Sequence, residues 1–391
     1  MRARRVTQNV LGPAASLLIA AAVAAVPAAR ADAITARATH AAVLTGTGVL
    51  NDVVAISPTN AWAVGHYGGL FHPKTLVEHW NGTAWHRVSV SPSAGWLNGV
   101  AATSARDVWA VGLSHSRALI LHFNGTAWRR VASAAVGSAR TVLAGVTTIS
   151  PRNAWVAGST GNKTLVEHWN GMAWKRVPSP SPLRLSFLSG VSAASASNVW
   201  AVGGFRKTLI LHWNGTRWRH VQSPSPGTGA MLDDVTVLSA SNAWATGSSG
   251  NGTLILHWNG TRWRRARSPA IRGGAGLIGI SGTSARNLWA VGATGSLIAS
   301  ATSRAGFAAR VTGTARRAHA VGAGPAAEPV ILHWNGAAWR RISVPLPPNG
   351  GMLIGVYAAS GRNAWAVGCT KTFANIKARP LVLHWNGTAW K

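Results

Sequence analysis

The heptapeptide His-Trp-Asn-Gly-Thr-Ala-Trp stands at 79–85 and again at 384–390 of this 391-residue chain. Histidine ligates metals and carries protons at neutral pH, so the seven histidines that open such a segment, at 79, 122, 168, 212, 257, 333 and 384, invite a chemical reading. A metal needs three or four ligands converging at about 2.0–2.3 Å. These histidines come one per repeated unit, 43 to 76 residues apart, and are expected instead to bond or pack against the neighbouring Trp.

Residues that break the repeat are better candidates. Between two apolar segments of each unit lie His66, Tyr67, Phe71, His72 and Lys74, then His115, then Arg206 and Lys207, and finally Lys371, Lys377 and Arg379. Trp96 stands in a connection between units. An exposed aromatic beside Tyr67 could stack on a sugar ring while the bases pair with carboxylate or phosphate groups. Asp52, Asp233 and Asp234, near Asn51 and Asn98, offer the oxygen ligands that a hard cation takes. No Ser-His-Asp set, glycine-rich phosphate loop or zinc signature occurs, and nothing in the sequence requires a cofactor.

Bulk composition narrows the partners. Lys and Arg number 38 against 8 acids, for a formal charge of +30, so the surface should attract polyanions, more strongly at low salt. Arg2, Arg4 and Arg5 precede an apolar run from Leu17 to Val26 and then Ala29-Arg30-Ala31. This is the layout of a signal peptide over residues 1–31, and it predicts a secreted or cell-surface protein. The polyanion expected after export is an anionic glycan or envelope polymer, with no specific nucleic acid. The apolar run is shorter than the roughly 20 residues that cross a bilayer. The single cysteine, Cys369, leaves stability to a packed core, and the chain is expected to be a monomer.

The elements that must position these residues emerge from the tryptophans. An Asn/Asp-x-Trp motif recurs with its Trp at 62, 109, 155, 200, 244, 289 and 365, and each copy is followed by one His-Trp/Phe-Asn-Gly segment. Together the two series use 20 of the 21 tryptophans; Phe123 replaces one, and Trp96 stands outside. Each unit parses into four strands, A to D. Strand A resembles Leu97-Asn98-Gly99-Val100, a Ser-x-x-Asn/Asp turn leads to strand B, and Asn-Gly is read as a two-residue type I′ hairpin between C and D. The expected fold is all-β, a seven-bladed β-propeller of four-stranded antiparallel blades over residues 49–391. Residues 32–48 precede it, and part of 41–44 is expected to pair beside the short last strand, Ala389 to Lys391, to close the ring. An Ala-, Gly- and Arg-rich insertion at about 296–327 reads as a flexible loop in the sixth unit. Bases after each strand-D Trp, such as Arg129 and Arg130, should guard the outer edges.

The Asn-Gly-x-x-Trp ending behind a Trp-Ala-Val-Gly strand resembles the Asp-box repeat of sialidase-type and photosystem-assembly-type propellers. It also resembles secreted bacterial Trp-rich repeats of the kelch or galactose-oxidase-like kind. The resemblance implies a propeller that binds or scaffolds. Its alternative is a carbohydrate-active enzyme, hydrolase, lyase or oxidase, on the same ring. A sialidase-like site would need a Tyr-Glu pair, and neither Tyr67 nor Tyr357 has an evident partner Glu. A galactose-oxidase-like copper site would need a Cys-crosslinked Tyr; Cys369, Tyr67 and Tyr357 supply the types, but no spacing links them.

Overall fold

The computed structural model describes residues 42–68, 72–135, 139–227, 229–295, 327–345, 347–348, 350–370 and 377–391. The expected signal peptide, nearly all of the 296–327 insertion, Phe71 and Lys371 lie outside them. Seven four-stranded antiparallel sheets form, spanning 49–87, 96–131, 141–176, 188–220, 231–265 and 275–342 for the first six blades. The fold is an all-β seven-bladed propeller. Strand B has eight residues in six blades, as in Asn60–Tyr67, and six in blade four, Asn198–Gly203, nearly all of them buried, as expected for a sheet covered on both faces.

In blade seven, Gly351–Ser360, Asn363–Thr370 and Pro380–Trp385 supply strands A to C. The outer place is shared by a segment that precedes blade one and by the C-terminal residues. Ala42 and Val43 pair with Val382 and Leu381, while Lys391 exchanges two backbone hydrogen bonds with His384, at 2.9 and 3.0 Å.

The histidine-tryptophan motif forms the same clamp seven times. Each His ring lies against the strand-B Trp of its own blade with centroids 4.1 to 4.3 Å apart. Its Nε2 bonds the Asn or Asp that opens strand B, at 2.7 to 3.1 Å. The two tryptophans of the following blade's C–D hairpin then close over that strand-B Trp: Trp169 and Trp174 pack on Trp109 at 4.9 and 5.2 Å. At the seam, Trp80 and Trp85 of blade one hold Trp365 of blade seven, both at 5.3 Å. In blade two, Phe123 occupies the place from which six other rings donate an indole N–H to the A–B turn, as Trp80 does to Pro58.

The C–D connection differs from the type I′ expectation. In blade one, Trp80 pairs with Trp85 across four residues, and only Gly82 has positive φ, at 99°. The Asn81 carboxamide oxygen accepts the N–H groups of Thr83 and Ala84, both at 3.0 Å. That side-chain acceptor replaces the backbone carbonyl a type I′ turn would use, so Asn need not enter the left-handed region. The glycine is required twice over, because a Cβ on Gly125 would also stand 2.6 Å from the Arg106 side chain.

Strand A leaves its inner edge facing the axis, where unpaired backbone groups need partners. Side chains from one blade reach the next. Asn51 Nδ2 donates to the Leu97 carbonyl at 2.8 Å and Asn98 Nδ2 to that of Leu143 at 2.9 Å. The Val100 N–H donates to Asp52, and the Ile280 N–H to Asp234, each at 3.0 Å. Ser192 and Ser281 accept from Val237 and Ala358 in the same way.

Candidate ligand-binding site

B–C loops and D–A connections share one face of the ring. The connection leaving blade one is fastened to the start of its strand C: the Thr75 N–H donates to Ser93 at 2.7 Å and the Gly95 N–H to Pro73 at 2.9 Å. This sets His72 and Lys74 opposite Trp96, which is the first residue of strand A in blade two, Trp96–Ser104. Trp96 is therefore not in a connection, and it is 7% exposed, too buried to offer a free stacking face. Its place between blades removes that face.

Blade two adds the hairpin between Asp107–Ser114 and Arg117–Phe123. Its two central residues, His115 and Ser116, have φ of 48° and 66°, so the type I′ geometry sits here and on residues that have a Cβ. The Ser116 carbonyl accepts the Thr141 N–H at 2.9 Å, which ties the hairpin to blade three beside Arg140. Left-handed backbone costs non-glycine residues about 1–2 kcal/mol each, and such strain persists where the surroundings hold it. Replacing His115-Ser116 with Asn-Gly should raise the unfolding free energy by about 1–2 kcal/mol; unchanged stability in urea titration would show the hairpin unstrained.

Glu167, fully buried in strand C of blade three, anchors the connection that ends at Arg140. It accepts the Ser133 hydroxyl at 2.7 Å and the Ala134 and Ala135 N–H groups at 3.0 Å. Glu78, at the matching place in blade one, bonds Arg87 at 3.1 Å, and that guanidinium lies 4.9 Å over the Tyr67 ring. Burial raises the Glu78 pKa, and Arg87 opposes the shift.

The result is a cleft of about 380 Å³ with Trp96 and Leu113 as floor and His72, Lys74, His115 and Arg140 on its walls. Among the described residues no carboxylate lines it. Four residues expected from the sequence meet here, and Arg140 joins them; its only sequence signal was a base directly ahead of strand A.

The remaining candidates stand elsewhere. His66 is buried behind the cleft, its ring edge-on to Trp96 with centroids 5.5 Å apart, and burial drives its pKa down to about 3. Tyr67 is covered by Arg87. Arg206, with φ of 63°, lies over Phe205 at 5.6 Å in blade four, beside Lys207. The Arg379 N–H donates to Thr370 at 3.1 Å in blade seven. Asp52 and Asp234 line a central cavity of about 270 Å³ formed by all seven blades, and Asp233 is buried beside it. Among the described residues no three His, Cys, Asp or Glu gather as a metal site. Cys369 is buried, its thiol pushed up to about 12, and it faces Met352 in strand A, whereas Tyr357 pairs with Trp365 farther along.

Comparison with known proteins bears on architecture. No family model matches the chain, and no curated protein matches it. Solved structures that it resembles include propellers. A structure titled "YCF48 bound to D1 peptide" shares 12% identity at a TM-score of 0.54, covering 89% of this chain and 99% of that one. YCF48 from Cyanidioschyzon merolae shares 16% at 0.54, covering 86% and 96%. The RRP9 WD40 repeats share 11% at 0.57, covering 88% and 97%.

Proposed function

We propose that the protein is an exported binding module that takes an anionic glycan or cell-envelope polymer in the cleft between blades one and two. The observation that carries this reading is a wall of bases, Lys74 and Arg140 with His72 and His115, around an apolar floor and with no carboxylate among the described lining residues. Guanidinium and ammonium groups pair with carboxylate or phosphate, and the net charge of +30 draws such polymers from a distance. Glycoside hydrolysis uses two carboxylates flanking the bond; this lining supplies none, which favours binding over turnover. The basic start and apolar run of residues 1–31 support export.

Titrating an acidic polysaccharide at low and high salt tests the reading. Lys74→Ala with Arg140→Ala should weaken binding by about tenfold or more, since each charged pair is worth roughly 1 kcal/mol. An affinity unchanged in that double variant would refute the cleft as the site.

A further inference from the structure

The opposite face, made of A–B turns and C–D hairpins, has a charge pattern that the cleft does not use. Arg106, Arg152, Arg286 and Arg362 occupy the third place of the A–B turn in blades two, three, six and seven. Blades four and five have Ser197 and Ser241 there, and those two alone have an arginine in the hairpin, Arg217 and Arg262, where blades two, three, six and seven have alanine. The two places are neighbours in space: a Cβ on Gly215 of the blade-four hairpin would meet Ser197 at 3.1 Å. Six of seven blades thus put one guanidinium on this face by one of two routes. All six are exposed, and among the described residues no ion pair engages them. Asp107, the acid in these turns, is buried under His122 and Thr103.

Two further features share the face. Met172, at the tip of the blade-three hairpin, is 87% exposed and is the large apolar side chain left in solvent among the described residues. The strand-C tryptophans, such as Trp80 and Trp169, are half-buried beside the turns they bond. A linear polymer crossing the ring would meet two or three of six arginines, whereas a plane meets all of them. Cations, a protruding apolar tip and half-buried indoles are the groups that settle at an anionic bilayer surface.

We infer that this face docks on an anionic lipid surface, leaving the cleft face turned outward. The test is co-sedimentation of the protein with vesicles of phosphatidylcholine, with and without phosphatidylglycerol. Binding is expected only to the mixed vesicles. Changing the six arginines to Gln should weaken it by at least ~100-fold, and Met172→Asp by a few-fold. A control in which Arg117, Lys163, Arg184, Arg265, Arg267 and Arg272 become Gln loses the same charge from the outer strands and the other face, and should keep vesicle binding. Near-ultraviolet circular dichroism verifies that each variant is folded. Equal losses in the two sextuple variants would overturn the inference in favour of bulk charge. So would soluble polyphosphate binding with the same dependence on the six arginines.

Discussion

Acidification from pH 7 to pH 5 should destabilise the protein, with His66 alone contributing about 2 kcal/mol of the loss. Burial lowers the His66 pKa from 6.5 to about 3. The unfolded chain therefore binds a proton below about pH 6.5 that the native protein refuses. A base whose folded pKa is depressed supports stability above its unfolded pKa, and that support fades as pH falls towards the folded value. Burial depresses His79, His168, His212, His257, His333 and His384 in the same direction, so the clamps add to the slope. The Asp107 carboxyl acts only at lower pH. Burial raises its pKa, but hydrogen bonds from His122 and Thr103 and the charge of His122 outweigh that and leave it below the usual carboxylate value. Urea unfolding at pH 7, 6 and 5 checks the prediction. His66→Leu, which installs the residue that blade two has at Leu113, should flatten the profile by the His66 share. A pH-independent unfolding free energy between 7 and 5 would contradict the burial argument.

Trp365→Ala should cost about 3–5 kcal/mol, the usual range for deleting a buried Trp. Trp365 is 3% exposed, stacked on His384 and held across the seam by Trp80 and Trp85. Trp200, inside the ring, has the same partners in His212, Trp258 and Trp263. Because the seam repeats the ordinary interface, Trp200→Ala should cost the same within about 1 kcal/mol. A Trp365 variant losing far less than its Trp200 counterpart, by calorimetry or chemical denaturation, would mean a weak seam.

The ring was legible because its mortar is a fixed set of residues, His, Trp and Asn-Gly, at near-constant spacing. The hairpin geometry was not, since it depends on the Asn81 oxygen reaching two N–H groups, a competition that the dipeptide alone does not reveal. Half of the cleft was visible as repeat-breaking loop residues, His72, Lys74 and His115. Trp96 lacks the motif and so reads as part of a connection, whereas it extends strand A by packing between blades. Glu78 and Glu167 carried no readable role, because their partners, Arg87 and the Ser133–Ala135 backbone, become neighbours only through strand pairing and loop return.

The clamps all point one way, each strand-B Trp being gripped by the blade that follows it. During synthesis a newly finished hairpin therefore always finds its target already made, with one exception. Trp80 and Trp85 emerge first and wait for Trp365, nearly the whole ring later. The earliest hairpin is the last to be satisfied, so its two indoles are the natural foothold for a chaperone, and this sequence-distant contact is a step that slows folding.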